Sequence, residues 1–416
     1  MGDWTGEDGR VGPVTPEHEE GLADRGDRRF GLLYLGSFIS YGDRFAIAPL
    51  LVSISLDLGE SLASVAAVAS AYFLFYGAMQ PVSGVLSDRV GRVRVLRWAL
   101  LGTGVGNLAA AAAPVLGILI VAKAVAGAFA GAILPTALVY VGDKVSFSGR
   151  QRVIASVLSA GALGTFSGSI SAGLLGHFAT WRLMFAIVGL LSLLLAAVIG
   201  RLPESLGEER GAGPLTQLRR VARHPWALFL FALAVAEGAV ILGFFTFLAP
   251  ALEAQGESAA VAGAVVATYG VAVFVATQVV KQLIGRTWST PPRLITIGGL
   301  ALVVAYLVAA TGQTVPNIVL ASLLIGMAFA FLHSTLQTWA TEVAPEARGT
   351  AISLFVTGVS TGAAIGTAAA GGLAGEARFG LLFLIAAVAA VPVATVAGVA
   401  RARFSQATSL NPRDQV

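Results

Sequence analysis

Gly84-Val85-Leu86-Ser87-Asp88-Arg89-Val90-Gly91-Arg92-Val93-Arg94 is a short charged turn set between two long apolar stretches, Ala63 to Leu86 and Val95 to Ala113. A bilayer core of ~30 Å needs about 20 helical residues to cross it. Working outward, stretches of that kind recur at Phe30 to Ile54, Val115 to Val141, Ile154 to Phe178 and Met184 to Gly200. They continue at Ala227 to Leu252, Ala259 to Ile284, Leu294 to Ala310, Pro316 to Ala340, Thr350 to Ala374 and Phe379 to Ala400. The runs are long and do not alternate in polarity, so they are expected to be helices, not barrel strands. The expected fold class is an all-α membrane protein with twelve transmembrane helices.

Composition agrees. Charged residues are 12% of the chain, about half of the ~25% of a soluble domain, and mean hydropathy is +0.80. The net charge of +4 does not point to nucleic acid, because the basic residues sit in turns between apolar spans. With no cysteine and four scattered histidines, no metal site and no thiol chemistry are expected. There is no phosphate-binding Gly-rich loop ending in Lys-Ser or Lys-Thr, so no cofactor is expected and the chain does not read as an enzyme.

Placing both termini in the cytoplasm puts 23 of 27 basic residues on that side and only Arg182 and Arg378 outside, as the positive-inside rule requires. Residues 1–29 and 401–416 are then cytoplasmic tails. The polar linker 201–226, with Pro203, Pro214 and five arginines, separates a bundle at 30–200 from one at 227–400. The halves are self-similar at an offset of 198 to 199 residues: Asp143 matches Glu342, Gly168 and Gly173 match Gly366 and Gly371, and Phe185 matches Phe383. Two parallel six-helix halves with a substrate site between them are a known transporter plan.

The turn itself follows the order Gly, three residues, Asp, Arg or Lys, any residue, Gly, Arg, and so resembles the loop signature of the major facilitator superfamily of secondary transporters. The resemblance implies a gate built from Gly84, Asp88, Arg89, Gly91, Arg92 and Asp143. Gly84 is expected to allow close approach of a neighbouring helix, Asp88 to cap the eleventh span near Gly349, and Arg92 to pair with Asp143. Lys123 and Gly127 resemble the family's second motif, with lysine where most members carry arginine. Gly161, Gly164, Gly168 and Gly173, followed by Trp181-Arg182, resemble the glycine-rich motif of drug-proton antiporters. Ser169 stands in place of its proline and Ala172 in place of one of its glycines, and close helix packing alone accounts for most of the pattern.

Away from the span ends, four formal charges fall within spans: Asp43, Arg44, Lys123 and Glu237. Each costs ~2.5–3.5 kcal/mol at a helix centre on insertion scales, so each should face the bundle interior. Asp43 and Arg44 are adjacent, about 100° apart on a helix, so each needs a partner elsewhere. Asp43 is the first candidate for proton coupling and Glu237 the second; Lys123, whose pKa can shift on burial, and His333 complete that set. A static buried ion pair is the structural alternative for the carboxylates, and a snorkelling side chain for Lys123. Tyr72, Tyr76 and Gln80 form one stripe of the second span, suited to an amphiphilic solute or to an interhelical hydrogen-bond seam. Arg44, Phe244 and Phe247 join them as candidate solute contacts; Gln278 and Asn107 are further polar groups within spans.

The expected function is a proton-coupled secondary transporter that exports small amphiphilic drugs or metabolites by alternating access, working as a monomer in a bacterial inner membrane. The alternatives are proton-coupled uptake of an organic anion, with Arg44 and Lys123 as carboxylate binders, and a membrane sensor or scaffold that moves nothing. On the first reading, Asp43→Asn abolishes proton-driven transport in proteoliposomes and spares exchange of solute for solute.

Overall fold

The computed structural model describes residues 16–205, 216, 219–221 and 223–410, and all regular structure among them is helical. In chain order the helices are α1 Pro16–Ala46, then after a 3-10 turn α2 Leu51–Leu58, α3 Leu62–Val90, α4 Arg92–Ala111, α5 Leu116–Lys144, α6 Phe147–Phe178 and α7 Trp181–Ile199. Beyond the linker come α8 Pro225–Gly238, a π turn Ala239–Gly243, a 3-10 turn Phe244–Phe247 and α9 Leu248–Glu253. Then follow α10 Ala259–Leu283, α11 Pro291–Thr311, α12 Val315–Ala328, a π turn Phe329–His333, α13 Ser334–Val343, α14 Arg348–Gly375 and α15 Phe379–Leu410. Within the segment 1–29, expected as a cytoplasmic tail, α1 is helical from Pro16 onward. Residues 1–15 and 411–416 and most of the linker, at 206–215, 217–218 and 222, lie outside the described residues.

Among the described residues, ten helical runs are long and apolar enough to cross a membrane, and Phe30–Ala46 with Ala48–Leu58, bent by 42°, makes an eleventh. The expected third span is α4, which packs along α5 and α7. Arg92, Arg94 and Arg97 in its first turns leave it less apolar than the rest. Several helix starts have their free N–H groups satisfied by side chains, as lipid demands. Ser61 accepts from the Ser64 N–H at 3.0 Å, Thr180 from Arg182 at 3.3 Å and Ser258 from Val261 at 3.2 Å.

The self-similar positions make equivalent contacts. A Cβ at Gly168 would stand 2.4 Å from the Gly42 carbonyl of α1, and one at Gly366 2.6 Å from the Ala239 carbonyl that follows α8. One at Gly173 would meet Ala259 in the other half at 2.5 Å, and one at Gly371 would meet Ala63 across the same divide at 3.3 Å. Asp143 is held by Arg92 and Glu342 by Arg401. Only glycine permits the shortest of these backbone approaches, and small residues are how helices associate where no hydrophobic force exists between them.

The contacts between halves are unevenly distributed. One side of the molecule carries the α3–α4 turn and the linker; the other carries the turns at Gly59 and Gly256. On this second, far side α6 and α10 touch at Gly173 and Gly263, and α3 and α14 touch at Ala63 and Gly375. At mid-depth the Thr357 hydroxyl donates to the Gly77 carbonyl at 2.9 Å. Toward the linker side, a Cβ at Gly84 or Gly349 would have no atom within 4 Å. The close approaches between the halves at these positions thus lie on the far side and at mid-depth, and neither Gly84 nor Gly349 takes part in one; a carrier open toward its linker side would be closed where these seams lie.

A Cβ at Gly371 would lie 3.4 Å from that of Ala66, close to the ~3.8 Å of a disulfide. The double variant Ala66→Cys, Gly371→Cys, made in a chain without cysteines, should cross-link under mild oxidation. Transport should stop when the bond forms and return on reduction; full transport by the bridged protein would mean the far-side seam does not open.

Candidate functional site

Asp43 on α1 finds its partner 80 residues away. The Lys123 Nζ of α5 donates to its Oδ1 at 2.6 Å, and the Asn107 amide of α4 to its Oδ2 at 3.2 Å. Lys123 also reaches the Asn107 Oδ1 at 2.9 Å and lies over the rings of Phe185 at 4.3 Å and Tyr72 at 4.9 Å. All three polar residues have zero exposure. Gly127 makes this possible: a Cβ there would stand 2.5 Å from the Tyr72 carbonyl, so α5 lies directly on α3. Lys123 therefore does not snorkel. The trio lies nearer the far side than mid-depth, because Asn107 and Lys123 are each close to the far end of their helix.

A second pair occupies the other half. Glu237, near the end of α8, and His333, closing the π turn after α12, meet with Oε1 and Nδ1 3.1 Å apart. The Glu237 Oε2 is buried without a partner. Both helices change register here, since a π turn follows Glu237 directly and another contains His333. Single π turns within α-helices concentrate at functional sites. The His333 ring stacks on Phe329 at 4.2 Å and tilts against Phe355 at 5.5 Å.

Arg44 is the remaining charge. Among the described residues no carboxylate lies within ion-pair distance of it, and its Nε is buried without an acceptor. Its guanidinium rests 4.9 Å from the Tyr76 ring, 5.3 Å from Phe73 and 5.9 Å from Phe45. A small cavity between the halves is lined by Arg44, Phe45 and Phe73 from one and by Leu242, Phe245 and Thr246 from the other. Phe45 and Phe245 meet edge to face at 6.1 Å and both contact Tyr269, closing the divide with aromatic rings.

Several expected solute contacts are engaged otherwise. Phe247 has zero exposure and Phe244 packs on Tyr306; the π and 3-10 turns rotate the helix so that Phe245 faces the cavity instead. Gln80 donates to the Gly131 carbonyl at 2.9 Å and belongs to the α3–α5 seam. Tyr72 and Tyr76 are buried and stacked at 6.0 Å, beneath Lys123 and Arg44 respectively. The glycines of the fifth span pack as small residues do: Gly161, Gly164 and Gly168 against α1, and Gly173 against α10.

The charged turn forms a compact network within its own half. Arg92 donates from Nε to the Asp143 Oδ2 at 3.2 Å and from Nη1 to the Ser87 hydroxyl at 2.9 Å, and pairs with Asp88 one turn before it. Asp88 is thus turned to Arg92 and not to the start of α14, and Gly84 supports no close approach. Arg89 is exposed. Gly91 has φ +105°, and a Cβ there would be 2.6 Å from the Glu204 carboxyl carbon. Sequence reading missed Glu204, which accepts from the Val93 and Arg94 N–H groups at 2.8 and 3.2 Å and so caps α4. Ser205 beside it donates to Asp143 at 2.7 Å.

A family model described as Major Facilitator Superfamily matches residues 33–367 and 258–413. The chain belongs to that superfamily. It is 34% identical over 133 residues to a puromycin resistance protein of Streptomyces alboniger, covering 32% of this chain and 26% of that protein. It is 32% identical over 187 residues to the class C tetracycline resistance protein of Escherichia coli, covering 44% and 46%. It is 28% identical over 199 residues to a multidrug resistance protein B homolog of Mycobacterium tuberculosis, covering 45% and 37%. The matches thus span less than half the length of each of these relatives. Among solved structures, a nucleoside transporter superposes with a TM-score of 0.76 at 17% identity, covering 90% of this chain and 99% of that one. A bacterial homolog of the lysosomal transporter Spinster, inward-facing and unoccupied, gives 0.74 at 17%, covering 91% and 98%. At such identities the likeness is of fold. This member of the superfamily is a multi-pass membrane protein.

Its buried trio yields a stability test. Removing one partner of a buried ion pair destabilises by about 3–5 kcal/mol, whereas an apolar replacement of both is near neutral. Asp43→Asn should therefore lower the unfolding temperature of the purified protein sharply, and Asp43→Asn with Lys123→Met should restore most of it. Equal stability of the single variant and the wild type would show that the pair contributes nothing.

Proposed function

We propose that this transporter is a proton-coupled exporter of small amphiphilic compounds, working by alternating access in an inner membrane with both termini cytoplasmic. The observation that carries the coupling is the Glu237–His333 pair. One carboxylate oxygen shares a proton position with a titratable ring, and the other has no partner. A proton gained or lost there changes the net charge of the site by one, with no adjacent group to offset it. Binding of solute and of proton are coupled for that reason. In this proposal the role expected of Asp43 passes to Glu237, because both Asp43 oxygens are occupied and protonating Asp43 would strand a buried Lys123 cation. Each proton that crosses 100 mV supplies ~2.3 kcal/mol.

Export is supported by the relatives, which are named for resistance to puromycin, to tetracycline and to multiple drugs. The seams joined on the far side support a solute entry path from the linker side, which the arginines and lysines assign to the cytoplasm. Uptake of an organic anion keeps one observation in its favour, the unpaired Arg44; Lys123 no longer supports it, being neutralised by Asp43.

In proteoliposomes with an internal pH dye, Glu237→Gln should abolish solute-driven proton flux, while solute-for-solute exchange measured at saturating solute persists. His333→Gln should reduce proton flux at least tenfold. Unchanged proton flux in Glu237→Gln would remove the pair from the coupling role. Solute accumulation on the side from which protons flow would favour export, and accumulation on the side to which they flow would favour uptake.

A further inference from the structure

Among the described residues, two charges well inside the spans are left unsatisfied, with opposite sign and on opposite halves; Glu253, at the far end of its span, also has a buried oxygen without a partner. Arg44, on α1, has no carboxylate within ion-pair distance among the described residues and a buried Nε without an acceptor; Glu237, on α8, has a buried Oε2 without a partner. The neighbouring Asp43 is matched, since it holds Lys123. A continuous series of rings connects the two ends. Arg44 lies over Phe45 at 5.9 Å, Phe45 stacks on Tyr269 at 5.4 Å and 25°, and Tyr269 meets Phe329 at 6.1 Å. Phe329 then stacks on His333 at 4.2 Å, and His333 contacts Glu237. Tyr269, in the middle, is within electrostatic reach of both Arg44 and Glu237.

We infer that the solute is a zwitterion with a flat apolar body, its acid group on Arg44, its amine on the free oxygen of Glu237 and its body along Phe45, Tyr269 and Phe329. Each end of such a molecule supplies the charge that the protein leaves unmatched, and an ion pair of this kind is strong where water is excluded. The aromatic wall suits a planar body, taken offset-stacked or edge to face. A solute bound this way bridges the halves and must be released by one of them as they rock.

This assignment deepens the proposed exporter and explains its sign. An amine at Glu237 competes with the proton for the same oxygen atoms, so solute and proton bind alternately, as antiport requires. An acid lacking the amine would bind best beside a protonated pair and so travel with the proton.

Three ligands sharing one skeleton test it: an aminomethyl biphenyl carboxylate, its carboxamide, which keeps only the cation, and a methyl biphenyl carboxylate, which keeps only the anion. Binding to the purified full-length protein in detergent is measured for each by equilibrium dialysis. The zwitterion should bind at least ~10-fold tighter than either analogue, about 1.4 kcal/mol. Arg44→Gln should bring the zwitterion to the level of the carboxamide, and Glu237→Gln to that of the methyl carboxylate. Equal or reversed ranking in the wild type, no binding of the zwitterion, or an advantage that survives both substitutions would overturn the inference. If a variant does not fold, the wild-type ranking decides alone. Proton-driven efflux without a zwitterion preference would sink this assignment and leave the coupling standing; the preference without proton flux would do the reverse.

Discussion

A charge placed in hydrocarbon has to be matched, and the way each one is matched divides this protein into fixed and working parts. The chain shows three grades of matching. Asp43 and Lys123 are closed on each other, with Asn107 filling the remaining positions of both. Glu237 and His333 are half closed, with one oxygen bonded and one bare. Arg44 has aromatic faces and no anion among the described residues. A closed pair can only hold helices together, because opening it strands two charges. A half-closed pair and an open cation invite something that arrives and leaves.

Closed matching depends in turn on how near the backbones come. Lys123 reaches Asp43 because Gly127 and Gly131 seat α5 on the carbonyls of Tyr72 and Tyr76. Gly164 and Gly168 seat α6 on α1 in the same manner, fixing the helix that carries Asp43. Small residues therefore do two jobs with one geometry: they provide dispersion contact between helices, and they bring polar side chains within bonding range across a seam. The far-side closure of the halves uses the same device at Gly173 and Gly263.

How much of this could be read beforehand follows from the range over which each feature is encoded. The apolar runs, the charged turn and the duplication are periodic or contiguous, and they led to the fold and to the Arg92–Asp143 contact. That charged spans would need partners was also legible, but the identity of the partners was not. Asp43 and Lys123 are 80 residues apart and Glu237 and His333 are 96 apart, with nothing local to join them. Phe244 and Phe247 were named and Phe245 was not, and it is Phe245 that lines the cavity between the halves, in a stretch where π and 3-10 turns shift the helical register. Glu204 was invisible for the same reason as the ion pairs: it caps a helix 111 residues earlier. The third span was counted from length, and its arginines make α4 the least lipid-like of the set.

The duplication sharpens the asymmetry between halves. At the self-similar positions the two bundles repeat their seams, down to a carboxylate held by an arginine at Asp143 and at Glu342. The buried pairs also link corresponding helices, α1 with α5 in one half and α8 with the turn after α12 in the other. Yet one pair has lysine as its cation and the other histidine. The lysine pair is closed, with both Asp43 oxygens bonded. The histidine pair leaves one Glu237 oxygen without a partner. The repeated frame thus carries a closed joint in one half and a half-open one in the other. In the proposed proton-coupled cycle, that division would let one half serve as the reference against which the other registers a proton and a solute.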